Sequence, residues 1–178
     1  MANWYYLMAQ LPAISENAKE LPITENEFID LCSRFFDNKT LNAIKSLSLE
    51  PPLQKKSTGF AFLDKWYDAE RSLRIALGQI RAVKLKKDFS ITENMSSDIV
   101  QMARTATGFD SPLEAEEYLN SIRMQLLNDI SPLDNFCTDA VFAYALKLKL
   151  ICRMSLFTQK AGIESYRKIY DQILGETI

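Results

Sequence analysis

The chain reads as an all-α protein: a multi-helix bundle with long antiparallel helices and a short extended segment at the N-terminal end. Three observations predict this. Apolar residues recur at three- and four-residue spacing through several long stretches, the period of a helix with one buried face. Helix-start signatures precede such stretches, as at Thr24-Glu25-Asn26-Glu27 and Ser111-Pro112-Leu113-Glu114. The connection at Asn128-Asp129-Ile130 is short enough to fold two long helices into an antiparallel hairpin.

The opening run, Trp4 to Leu11, is rich in aromatics and ends before Pro12, which favours an extended backbone over a buried helical turn. Ser15 to Pro22 is polar and loop-like. Thr24 and Glu27 form a capping box, and the helix that follows places Phe28, Leu31, Cys32 and Phe35 on one face. Asp37-Asn38 interrupts it. A second short helix runs from about Thr40 to Leu47, with Leu41, Ile44 and Leu47 inward. The stretch Glu50 to Ser57 holds Pro51 and Pro52, which forbid regular pairing and stiffen a linker.

The first long helix is expected from about Phe60 to Lys87, with Leu63, Trp66, Leu73, Leu77 and Ile80 as its buried stripe. Its acids come early (Asp64, Asp68, Glu70) and its bases late (Arg74, Arg81, Lys84, Lys86, Lys87), matching the helix dipole. Glu70 and Arg74 stand at i,i+4, a favourable pair on what reads as a solvated face. A helix from Ser96 to about Ala106 follows. Two Ser-Pro-Leu-acid starts, at Ser111 and Ser131, then place Ser at N-cap, Pro at N1 and an acid at N3. The first of these helices buries Ala115, Tyr118, Leu119, Ile122, Leu126 and Leu127; the second runs through Phe142, Leu148 and Ile151 to about Phe157. Gly162 marks a kink, after which Ile163, Tyr166, Ile169, Tyr170 and Ile173 share one side of a last helix. The whole, 1–178, is one helical domain, with a short-helix region at 1–50 and the main bundle at 58–174.

Composition narrows the chemistry. There is no histidine, hence no Ser-His or Cys-His pair and no His-based metal site within this chain. The five glycines are too scattered for a phosphate-cradling loop. Three cysteines, Cys32, Cys137 and Cys152, sit among apolar neighbours without a C-x-x-C pair, and read as reduced and buried in a cytosolic protein. A net charge of −2 gives no electrostatic reason to seek nucleic acid or an anionic membrane. The apolar opening run is too short to span a bilayer and lacks a basic flank, so no membrane insertion or leader is expected.

Carboxylates cluster at Glu114, Glu116 and Glu117 and pair at Asp64 and Asp68, but the dipole of a helix start accounts for the first group, and nothing sets either group across a cleft. The expectation is a non-enzyme with no cofactor and no metal, built for protein–protein contact. Lys147, inside an apolar helix, is expected to face a neighbour's carboxylate.

Four segments carry a family resemblance: Tyr5 to Pro12; Trp66-Tyr67-Asp68-Ala69-Glu70-Arg71-Ser72-Leu73-Arg74 with Arg81-Ala82; Ser111 to Glu116; and Phe142 to Leu148. Together they resemble a bacterial family of uncharacterised proteins encoded inside V-type ATPase operons. The resemblance implies placement rather than catalysis. It points to a non-catalytic subunit or accessory protein, similar to the all-helical C-type adaptor (the d-type in eukaryotic enzymes) that joins the central shaft to the membrane rotor ring. An assembly chaperone, a regulatory adaptor or a peripheral-stalk component fits the same operon position. The implied partners are V-type ATPase subunits of the shaft or ring. The implied location is cytoplasmic, peripheral to the inner membrane through the complex. On this reading Arg71, Arg74, Arg81 and Lys147 are the candidates for polar contacts that fix the helical frame or the partner.

Overall fold

A computed structural model describes residues 4–15, 21–89, 95–157 and 159–175. Among the described residues there are eight helices and no strand. They are α1 (Trp4–Gln10), α2 (Glu25–Ser33), α3 (Asn38–Lys45), α4 (Ala61–Lys84), α5 (Ser97–Gly108), α6 (Pro112–Ile130), α7 (Thr138–Ser155) and α8 (Gln159–Gly175). The all-α class is as expected. No helix of the described residues is long and apolar enough to cross a membrane.

The N-terminal run is helical, not extended. Leu7 of α1 is fully buried, and Met8 of the same helix and Leu11 just after it pack against the same core cluster. Pro12 ends α1 without extending it, and its carbonyl accepts the Tyr144 hydroxyl at 2.8 Å. Much of the polar stretch expected after Ser15 lies outside the described residues. In α2 the capping box forms as the sequence suggests: the Glu27 amide donates to Thr24 Oγ1 at 3.3 Å and the Thr24 amide to Glu27 Oε2 at 3.0 Å.

Helix α4 is 24 residues, about 36 Å. Its N-cap, Phe60, offers no side-chain acceptor. The Asp64 carboxylate collects the loop instead, accepting from the Ser57 hydroxyl (2.7 Å) and from the Thr58 amide and hydroxyl (both 2.8 Å). At its other end the amide of Lys86 donates to Val83 O (3.2 Å) and that of Lys87 to Ala82 O (2.9 Å). This is a Schellman closure with Lys86 in the left-handed region at φ 52°. The helix therefore stops short of the expected Lys87.

The two Ser-Pro-Leu starts part company. Ser111 caps α6, its hydroxyl accepting from the Glu114 amide at 3.4 Å. Ser131 instead closes the end of α6, its amide donating to Leu127 O at 3.0 Å and its hydroxyl to the same carbonyl. Asp134 accepts from the Phe136 amide at 2.8 Å in a local turn, and α7 begins only at Thr138. Leu133 stands wholly in solvent, so no buried face draws this segment into the helix.

Two apolar clusters fill the interior. The larger joins α1, α2 and α3 to the first half of α4, the end of α6 and most of α7, and includes Leu7, Phe28, Ile44, Trp66, Leu127 and Phe142. The smaller joins the second half of α4 to α5 and the start of α6, through Leu73, Leu77, Ala103, Ala106 and Leu119. Ten of the eighteen residues of α7 are buried, which makes it the central helix. Helix α8 runs through Gly162, with every side chain described from Gly162 onward exposed.

Candidate functional site

Between the two clusters, α4 and α6 bring charged side chains into the interior. Glu70 has 0% exposure and Arg123 4%. The guanidinium grips the carboxylate twice: Nε lies 3.0 Å from Oε2 and Nη2 lies 3.1 Å from Oε1. Such a fork is the geometry in which an arginine compensates a buried carboxylate most fully. Arg74 adds a third bond to Glu70, Nε to Oε1 at 2.8 Å. Its Nη1 reaches Glu50 at 3.5 Å. Arg123 Nη1 donates to Asn120 Oδ1 at 3.2 Å and lies 4.0 Å from Glu116, which itself accepts from Arg153 of α7 at 2.8 Å. Asn120 donates to the Met154 sulfur. Five charged groups and one amide thus tie α4, α6 and α7 together, with Glu50 at the edge.

The local sequence explains the placement. Glu70 stands four residues after Trp66 and three before Leu73, on the buried stripe of α4. Arg123 stands four after Leu119 and four before Leu127, on the buried stripe of α6. Each is therefore carried inward by its neighbours and must find its counter-charge there. Sliding α4 against α6 by one turn would leave both unpaired, so the pair fixes the register of the two helices. Glu70 is not on a solvated face, as the acid-early, base-late pattern suggested. It is the most deeply placed charge described.

The four expected polar contacts separate. Arg71 donates to Pro52 O at 2.6 Å and Leu53 O at 3.3 Å, and so staples the prolyl linker to α4. Arg74 buttresses Glu70. Arg81 is exposed on the last turn of α4, away from both. Lys147 is half-buried on α7, while its neighbour Lys149 pairs with Glu25 of α2 at 3.1 Å. The structure brings Arg71 and Arg74 onto one side of α4 and does not join Arg81 or Lys147 to them. Arg123, Asn120 and Arg153 were missed, and Glu116 was read only as part of a helix-start cluster. Their signal was present for Arg123, a charge at an apolar position of its helix; for the others it lies only in the packing.

The cysteines differ from one another. Cys32 is buried, and desolvation pushes its thiol up to about 12. Cys137 and Cys152 are half-buried rather than buried, and all three are free. The Cys137 sulfur sits 3.3 Å from the Asp134 carbonyl oxygen at the start of α7. Among the described residues no group of three or more acids or cysteines is placed to hold a metal.

A different surface is open. Tyr5 and Tyr6 of α1 are more than half exposed, their rings 5.9 Å apart edge to face. Tyr5 lies 5.0 Å from the half-exposed ring of Phe136 in the turn before α7. Exposed aromatics held on a rigid frame are the composition of protein-binding hot spots.

Fold and site together define a class: an all-helical protein whose polar interior is an ion-pair lock and whose open surfaces are aromatic and aliphatic. Residues 108–177, from the end of α5 through α8, match the model of a family described as "Protein of unknown function (DUF2764)". Comparison with curated proteins and with solved structures gives no match.

Proposed function

We propose that this chain is a non-catalytic subunit or accessory protein of a bacterial V-type ATPase, an adaptor between the central shaft and the membrane rotor ring. The observation that carries the reading is where the resemblance-bearing segments fall. Trp66 and Glu70 lie in the core of α4 and Phe142 to Leu146 in the core of α7, while Tyr5 and Tyr6 stand exposed beside Phe136. Two segments thus contribute to a stiff frame and one presents an aromatic patch. A load-bearing adaptor needs both. Helices locked at Glu70–Arg123 resist sliding when force is applied along them, and the Tyr5, Tyr6 and Phe136 rings offer area to a partner at low ordering entropy.

Of the two candidates outside the lock, Lys147 is half-buried and Arg81 exposed, so Arg81 is the better placed to meet a partner. Arg71 and Arg74 act on the frame. Reversing Arg74 therefore disturbs Glu70 before it disturbs any partner, and Arg81→Glu is the cleaner probe.

The test is a mild-detergent pull-down of tagged chain from its own cells, quantified by mass spectrometry, with Tyr5→Asp/Phe136→Asp alongside. V-type ATPase subunits at about one copy per complex with wild type, and lost with the double variant, support the adaptor. A low ratio on partial assemblies moves the reading to a transient chaperone. No ATPase subunit at all removes it.

A further inference from the structure

Helix α8 presents an apolar face to solvent. Ile163, Tyr166, Ile169, Tyr170, Ile173 and Leu174 are each between 46% and 68% exposed. Their spacing puts them on one side of the helix. The pattern has a second property. Ile163, Tyr166, Tyr170 and Ile173 read the same in both directions about position 168, isoleucine outside and tyrosine inside, at intervals of three, four and three.

We infer that α8 pairs antiparallel with α8 of a second copy of this chain, about a two-fold axis at position 168. A two-fold interface demands a self-complementary patch, in which residue i meets j and j meets i. In this register Ile163 meets the second copy's Ile173, and Tyr166 meets the second copy's Tyr170, on both sides of the axis. The 3-4-3 interval is that of a coiled-coil seam, so the four side chains interdigitate along one line. Leu174 flanks the seam on the same side as Arg167. Ile169 lies on the other flank of the seam, where the two-fold brings it to the second copy's Ile169. Within one copy Tyr166 and Tyr170 already stack, their rings 6.1 Å apart at 21°, so the rings meet the second copy largely pre-ordered. Lys168, at the axis, lies on the outer side of the seam and does not meet its own copy.

The area fits a second copy. Two tyrosines and four aliphatic side chains, each about half exposed, present roughly 600 Å² per copy. Pairing two such faces buries about 1,000 Å² in total, the lower bound of a specific interface.

The experiment is sedimentation velocity on the purified full chain from about 1 to 200 µM. The weight-average mass is expected to rise from 20.4 kDa toward twice that value. Tyr166→Lys/Tyr170→Lys is expected to stay monomeric throughout with an unchanged melting midpoint, because neither ring belongs to the core. A photoreactive benzoylphenylalanine at Ile163 reads the direction: cross-links to 172–175 of the second copy are expected. Three results overturn the inference: a monomer at 200 µM, a dimer that survives the double lysine variant, or cross-links confined to 160–166 of the second copy, which would mean parallel pairing.

Discussion

Arg123 reaches across 53 positions of chain to hold Glu70 by two nitrogens, at 3.0 and 3.1 Å, with both side chains removed from solvent. The pair occupies the seam between the two apolar clusters, so its loss is felt by both. Breaking a buried pair by removing one member is expected to cost about 3–5 kcal/mol, because the other charge stays buried. The loss is unequal here. Glu70→Leu leaves Arg123 beside Arg74 with only Glu116, 4.0 Å away, as counter-charge. Arg123→Leu leaves Glu70 with Arg74 at 2.8 Å. Urea unfolding should therefore rank Glu70→Leu as the worse single variant, and the double variant should recover part of the loss. Equal costs that add would contradict the arrangement.

Lys86 closes α4 in a backbone conformation that costs an L-residue with a side chain about 1–2 kcal/mol. Glycine takes it freely. Lys86→Gly is expected to stabilise the protein by about 0.5–1 kcal/mol, less than the full cost because glycine also loosens the unfolded chain. The check is the shift in denaturation midpoint at constant slope. A destabilised variant would mean that the Lys86 side chain contributes more than its backbone costs.

The acid limb of stability should contain Asp64. Hydrogen bonds from the Thr58 amide, the Ser57 hydroxyl and the Thr58 hydroxyl hold its carboxyl below the ordinary value of 3.8. A depressed carboxylate stabilises above its unfolded pKa, and that contribution fades as pH falls through the folded one. Asp64→Asn should lower the melting midpoint by about 2–4 °C at pH 7, the effect of a lost helix cap. The gap between variant and wild type should narrow below pH 4. A gap independent of pH would show that charge is not what Asp64 supplies.

Cys32 should set the first part of the alkaline limb. Its thiol is raised from 9.0 to about 12 by burial, so the folded state keeps a proton that the unfolded state loses. Stability is full below pH 9 and declines as pH rises from 9 toward 12. Tyr144, raised from 10.0 to about 12, adds its own decline only above pH 10. Unfolding midpoints at pH 7.5, 9 and 10 should fall in the last interval, and less so in Cys32→Ala. Alkylation in the native state should reach Cys137 and Cys152 well before Cys32.

Much of this architecture could be read from residue order, for definite reasons. Thr24 with Glu27, Ser96, and Ser111 with Pro112 signal helix starts through bonds within four residues, and each formed. The stripe at Leu63, Trp66, Leu73 and Leu77 recurs as core because burial follows helical period. What stayed hidden depends on distant partners. Ser131 carries the same local start as Ser111, yet Leu133 finds nothing to pack against, and the helix waits until Thr138. Trp4 to Gln10 has strand-like composition, but Leu7 is drawn into the core and brings a helical turn with it. Glu70 read as a surface charge and Arg123 as a lone charge on an apolar stripe, and only the crossing of α4 and α6 makes them one site.

A 17-residue helix exposed along most of its length stands near the size where isolated helices are marginal in water. Dilution should therefore do more than separate copies. If pairing holds α8 in shape, far-ultraviolet ellipticity per residue should grow with protein concentration and level off where association saturates, while the near-ultraviolet signal of buried Trp66 stays constant. The last helix would then report, in its own fold, how crowded the protein is.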